Sequence, residues 1–216
     1  MRSSDLKIKV CGMRDAENIV GLAALNPHYL GLIFYPQSKR FAGDLNPGIL
    51  KHVPGKIIRT GVFVNASKAE IGEKISQYGL KAVQLHGDET PQFCNEIKNL
   101  NVEVIKAFGL DESFDFGRLN QYIEYCDYFL FDTQTAAYGG SGKSFDWSLL
   151  QHYTLSKPYF LSGGIDEVNI DSILEMTDER LYAIDLNSKF ESEPGLKDLA
   201  KLDKVFRKLK TARAEK

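Results

Sequence analysis

Eight short runs rich in β-branched and aromatic residues recur along the chain: KIKVCGM (7–13), YLGLIFY (29–35), KIIRTGVFVN (56–65), AVQLHG (82–87), EVIKAFGL (103–110), YFLFDT (128–133), YFLSGG (159–164) and LYAIDLN (181–187). Longer amphipathic stretches separate them. Most runs are almost continuously apolar, the pattern of strands buried on both faces. Strands of that kind alternating with helical segments predict an α/β fold with a parallel sheet. Eight such units in 216 residues predict one (β/α)8 TIM-barrel domain over 1–216, eight parallel strands with outer helices. An open doubly wound sheet is the alternative. It would need fewer strands and usually a glycine fingerprint after the first, and KVCGMRD is not GxGxxG.

The helical stretches carry their own punctuation. AENIVGLAAL follows the first run, and Ser67 opens SKAEIGEKISQYG with capping-box spacing to Glu70 and Gly79 at the stop. Pro91 begins PQFCNEIKNL at a favourable first-turn position. PGLKDLAKLDKVFRKLK predicts a last helix with Leu196, Leu199, Leu202, Val205, Phe206 and Leu209 on one stripe. Its basic stretch from Lys201 to Arg213 reads as a solvated face.

Several classes are set aside by composition. The net charge is −2, without the basic bias of a nucleic-acid binder. No uncharged stretch approaches the ~20 apolar residues of a membrane span, and MRSSDLKIKV lacks the apolar region of a secretory signal. Cys11, Cys94 and Cys126 are odd in number and never spaced CxxC, and His28, His52, His86 and His152 are scattered. The expectation is therefore no disulfide framework, no structural metal and a reducing cytoplasm. Cys94 within a predicted helix and Cys126 at the close of another read as packing.

In a barrel, chemistry gathers where strands end at their C-termini. Those ends carry Cys11, Arg40, Asn65, Gln84, His86, Asp132, Ser162-Gly163-Gly164, Asp185 and Asn187. Gln84 and His86 alternate with Leu85 and so point to one side. YGGSGKSFDW (138–147) and LSGGI (161–165) are glycine-rich. Glycines let backbone N–H groups approach an anion, so the two loops after neighbouring strands predict a phosphate cradle; tight turns are the plainer reading. A strand-end cysteine is otherwise a small buried hydrophobe, and a strand-end aspartate a cap.

KVCGM, GLIFYPQSKR, GVFVN, VQLHG, FLFDT, GGSGKSFDW and LSGG, in this order, resemble the phosphoribosylanthranilate isomerases of tryptophan biosynthesis. The resemblance covers essentially the whole chain. It implies a cofactor-free barrel that isomerises an aldose to a ketose. The reaction would be the Amadori rearrangement of N-(5-phospho-D-ribosyl)anthranilate to 1-(2-carboxyphenylamino)-1-deoxy-D-ribulose 5-phosphate. The implied partner is this small molecule alone, with the protein a monomer or homodimer. It also implies Cys11 as general base, Asp132 as general acid and Arg40 as holder of the anthranilate carboxylate. Gln84 and His86 are expected either to line the barrel mouth or to stand behind the residues that do, a purely structural role being the alternative. Asp185 is expected on substrate hydroxyl or amine groups, and Gly140, Ser141, Gly142, Gly163, Gly164, Asn187 and Ser188 around the phosphate.

The chemistry needs one acid and one base on opposite sides of a small sugar. A free thiol titrates near ~8.5 and an exposed aspartate near ~4, so burial must raise Asp132 if it is to donate a proton at neutral pH. Two segments depart from the family pattern. Where a KSPR-like stretch is usual, YPQSKR stands. After the eighth run a serine pair, glycine, valine and glutamate are usual, and here the segment is Asn187-Ser188-Lys189-Phe190-Glu191. Lys189 would either bring a cation to the phosphate or face solvent. Competing readings are a ribulose-phosphate epimerase, an indole-glycerol-phosphate synthase and a non-catalytic phosphosugar-binding barrel. The first lacks its metal ligands here and the second its strand-end lysine and glutamate. The third leaves both proton-transfer groups unexplained.

Overall fold

The computed structural model describes residues 6–133 and 146–214. Each of the eight runs contains a strand: β1 (Lys7–Val10), β2 (Tyr29–Ile33), β3 (Ile58–Phe63), β4 (Ala82–Leu85), β5 (Glu103–Leu110), β6 (Tyr128–Thr133), β7 (Tyr159–Leu161) and β8 (Leu181–Leu186). They pair in parallel in sequence order, and β1 closes on β8 with Lys9 opposite Asp185. The eight strands form the predicted closed barrel rather than an open doubly wound sheet.

Three helices begin and end where the sequence marks them. In α1 (Ala16–Leu25) the Asp15 side chain accepts from Asn18 N–H at 2.8 Å. In α2 (Lys68–Tyr78) Ser67 Oγ accepts from Glu70 N–H, and Gly79 closes the helix in the left-handed region. Thr90 caps α3 (Pro91–Lys98). Two expectations need correction. After β2, β5 and β6 the chain forms 3-10 helices, Pro47–His52, Phe116–Tyr122 and Trp147–His152. Each is preceded by an Asn or Asp (Asn46, Asp115, Asp146) whose side chain accepts from the N–H two residues on. That tight local bond starts the chain in a narrow turn rather than an α-helical one. Cys126 accordingly closes no α-helix; it is buried in the turn before β6.

The second correction is at the C-terminus. A short helix α4 (Ile170–Glu175) follows β7, but the last helix, α5 (Leu199–Ala214), starts later than the apolar stripe predicts. Residues 191–197 form an antiparallel hairpin instead, β9 (Glu191–Glu193) against β10 (Leu196–Lys197). The Asn18 side chain holds its end through both the N–H and C=O of Lys197, at 2.8 and 2.9 Å. Leu196 leaves the stripe, while Leu202, Val205, Phe206 and Leu209 are buried as expected.

Inside the barrel, Ala82, Ile105, Ala107, Leu130, Phe160 and Ala183 fill the centre. At the N-terminal end the Tyr29 hydroxyl donates to Glu103 at 3.1 Å, and Tyr128 stacks on Tyr182 with ring centroids 4.5 Å apart. That aromatic floor leaves the polar interior positions at the opposite end, where β-strands of this architecture present their chemistry.

Candidate active site

Register places the site. Successive residues of a strand face opposite sides, so Lys9 and Cys11 share the inner face of β1, as Gln84 and His86 do from β4. Asp132 and Asp185 are the last residues but one of β6 and β8. β1 and β6 are not neighbours in the barrel, and their ends face across its mouth. The structure thus brings Cys11, Gln84, His86, Asp132 and Asp185 to one end of the barrel.

The Cys11 N–H donates to Leu186 C=O at 2.9 Å, and its side chain is buried. It fits because Gly31 stands opposite: a Cβ there would lie 2.7 Å from Sγ. Burial pushes the thiol's pKa up, against the ammoniums of Lys9 and Lys197, with Asp185 adding to the rise. Lys9 Nζ bonds Asp185 Oδ2 at 2.7 Å, in a pair shut off from solvent. Burial disfavours the Lys9 ammonium, but Asp185 and Cys11 outweigh it and hold the charge. The other oxygen, Asp185 Oδ1, is buried and accepts no hydrogen bond; Gln84 Oε1 is in the same state.

Asp132 is 8% exposed, with Oδ1 accepting from Thr133 N–H at 2.8 Å. Burial drives its pKa up to about 6, opposed by that N–H and helped by Asp185. The rise expected of a proton donor is therefore present before any substrate anion arrives. His86 Nε2 lies 3.6 Å from Asp132 Oδ2. Burial, with Lys106 and Lys9, drives the imidazole down to about 3, so it is neutral at pH 7. Gln84 Nε2 meets His86 Nδ1 at 2.7 Å. An amide nitrogen only donates, which leaves the ring proton on Nε2, towards Asp132.

Arg40 packs against Gly12, where a Cβ would meet Arg40 Cδ at 2.6 Å. Its guanidinium grips Glu191, Nε at 2.9 Å and Nη2 at 2.7 Å. Glu191 is also paired with Lys197, which donates to Asn187 Oδ1 at 2.8 Å. Burial works against the Glu191 carboxylate, yet Arg40 and Lys197 hold its pKa below the usual range. Asn187 thus spends its side-chain oxygen on Lys197. Gly163 has φ +84°, and a Cβ there would meet Thr133 Oγ1 at 2.6 Å; Gly164 also has positive φ. Only a residue without Cβ brings this loop so close to the end of β6. Ser188 is half-buried and Lys189 is exposed, facing solvent. The expected phosphate residues Gly140, Ser141 and Gly142 lie outside the described residues.

Sequence reading missed Lys9, Glu191 and Lys197. The signal for Lys9 is a lysine two positions before the thiol inside an apolar strand. For the other two it is a charge on each side of Gly195, which turns the hairpin.

A parallel barrel with a thiol, a raised carboxyl and a neutral imidazole at its C-terminal mouth defines the class: a (β/α)8 barrel equipped for proton transfer. The family model for N-(5'-phosphoribosyl)anthranilate isomerase matches residues 8–208. N-(5'-phosphoribosyl)anthranilate isomerases from Phocaeicola vulgatus and Parabacteroides distasonis are 42% and 43% identical, over 94% of this chain and 97% and 92% of theirs. The solved Thermotoga maritima isomerase superposes with a TM-score of 0.80 at 35% identity, covering 95% of this chain and 98% of that one. Another solved isomerase, holding reduced 1-(o-carboxyphenylamino)-1-deoxyribulose 5-phosphate, matches with a TM-score of 0.78 at 30% identity, over 95% and 99% of the two chains. The chain belongs to the N-(5'-phosphoribosyl)anthranilate isomerase family, aldose–ketose isomerases of tryptophan biosynthesis, as its motifs lead one to expect.

Proposed function

We propose that the chain carries out the Amadori rearrangement of phosphoribosylanthranilate with Asp132 as general acid and Cys11 as general base. Asp132 protonates the ring oxygen of the ribose, the ring opens, and an iminium forms at C1. The Cys11 thiolate then takes the proton from C2, and the C–H electron pair neutralises the iminium nitrogen. The resulting enolamine tautomerises to the ketone. The observation that carries this reading is Asp132: a carboxyl held up to about 6 by burial, at the same mouth as the thiol. A bound phosphate and carboxylate add negative charge and raise it further.

The remaining groups supply recognition. Glu191 engages Nε and Nη2 of Arg40, and the Nη1 edge receives the anthranilate carboxylate. Asp185 Oδ1 and Gln84 Oε1 are buried acceptors without a donor, and leaving them so costs about 1–3 kcal/mol each. Ribose hydroxyls and the substrate amine are donors of the right kind. The backbone of Gly163, Gly164, Asn187 and Ser188, together with Gly140, Ser141 and Gly142, receives the phosphate. No helix among the described residues is long and apolar enough to cross a membrane. The small-molecule substrate and three free thiols support a cytoplasmic enzyme; one solved relative is a monomeric form generated from the dimeric Thermotoga maritima isomerase.

Freshly made phosphoribosylanthranilate tests the reading, because anthranilate fluorescence falls as the substrate is consumed. With the protein, the fall should outrun spontaneous decay. Decay at the spontaneous rate overturns the proposal.

A further inference from the structure

The barrel centre is filled by apolar or small side chains, Ile105, Ala107, Leu130, Phe160 and Ala183 among them, and Lys9 is fully buried. A fully buried lysine is expensive, since an ammonium removed from water loses several kcal/mol even when paired. A valine or alanine would fill the position more cheaply if only packing were at stake. Lys9 lies two residues before Cys11 on the same face of β1, in register with Asp185, and its 2.7 Å bond to Asp185 fixes the ammonium. Cys11 itself is 2% exposed, so water cannot stabilise a thiolate there.

We propose that Lys9 is the positioning residue of the base: its fixed ammonium is the counter-charge that lets Cys11 hold a thiolate, and Asp185 sets how much of that charge the sulfur feels. Besides Lys9, Asp185 from β8 and Lys197 from the hairpin act on the sulfur; the other titratable or charged groups of the mouth are Asp132 from β6, His86 from β4, Arg40 after β2 and Glu191 from the hairpin. Lys197 is tied to Glu191 and Asn187, and Arg40 to Glu191. His86 is neutral at pH 7. Lys9 shares the thiol's own strand and face. During turnover it stays protonated. The thiolate takes the C2 proton and becomes a thiol, so the positive charge it was balanced against is left to Asp185 alone.

This inference rests on Cys11 being the base, yet its test reads ionisation rather than turnover. In protein carrying isotope-labelled cysteine, the Cβ resonance of Cys11 (assigned by its loss in Cys11→Ser) reports the thiol-to-thiolate midpoint without any reagent. Lys9→Met should raise that midpoint by about one pH unit or more, the scale of removing one close opposite charge. Lys9→Arg should hold it near the wild-type value. Asp185→Asn should lower it, because Lys9 then has only the sulfur to neutralise it. An unchanged midpoint in Lys9→Met, or the same direction of shift in Lys9→Met and Asp185→Asn, overturns the proposal; the second result would mean only a loosened site. Should Lys9→Met not fold, Asp185→Asn decides: a lowered midpoint supports the inference and an unchanged or raised one refutes it. Normal turnover in Cys11→Ser would instead remove the base assignment and leave the coupling between Lys9 and the sulfur intact.

Discussion

His86 Nε2 stands 3.6 Å from Asp132 Oδ2, a neutral imidazole against a carboxyl that keeps its proton up to about pH 6. The two groups could be confused in a pH profile, and their separation gives the first prediction. The competent enzyme has Asp132 protonated and Cys11 ionised, so the pair carries one proton. Below about pH 6 both groups are protonated, and above the raised thiol pKa both are bare. kcat/KM should therefore climb through about pH 6 and fall at alkaline pH. His86→Gln should lower the rate but leave the acid limb where it is. Loss of that limb in the variant would assign it to the imidazole.

The same carboxyl should weaken the fold. Its pKa rises from 3.8 to about 6 on folding, so the native state binds the proton more tightly than the unfolded chain does. Any stability from this group is present below the unfolded pKa and lost as pH rises through about 6. Two pKa units correspond to about 3 kcal/mol at most. Asp132→Asn should thus raise stability at pH 7 by about 1–3 kcal/mol while losing activity, with the stability gain gone near pH 4. Denaturant unfolding at both pH values checks this, and an Asn variant less stable than wild type at pH 7 contradicts it.

Gly31 leaves the space that Sγ occupies. A methyl group there would lie 2.7 Å from Sγ and 3.0 Å from Cys11 Cα, so Gly31→Ala must move the thiol or β2. Overpacking of this kind costs about 1–3 kcal/mol. A lowered Tm together with a fall in kcat is expected. Wild-type values of both would mean that the thiol is not confined.

Arg40 is held by a forked contact to Glu191, which fixes the guanidinium plane. A lysine cannot reproduce the fork. Arg40→Lys should raise KM for phosphoribosylanthranilate about tenfold, roughly 1.4 kcal/mol, with a smaller change in kcat. Steady-state kinetics decide. A KM equal to wild type would detach Arg40 from the substrate carboxylate.

Strands were the most legible part of the chain because their signal is local: each apolar run contains one, and EVIKAFGL and YFLFDT match β5 and β6 end to end. Helix type was less legible. The bonds from Asn46, Asp115 and Asp146 that start 3-10 turns depend on side-chain placement, which composition does not reveal. PGLKD reads as helix, but Asn18 from the first helical stretch claims the backbone of Lys197, a contact across 179 residues. In the site, Cys11, Asp132, Gln84, His86 and Asp185 could be located from strand ends and period alone. The Glu191 grip on Arg40 could not, because it joins the loop after β2 to the hairpin after β8.

The central claim is that Cys11 and Asp132 move the two protons of the rearrangement. Single-turnover fluorescence of Cys11→Ala and Asp132→Asn, each with an intact fold by circular dichroism, measures it directly. Positioned acid–base groups contribute about a hundredfold or more, so each variant should be slower than wild type by at least that factor with substrate still bound. A rate within a few-fold of wild type in either variant contradicts the account.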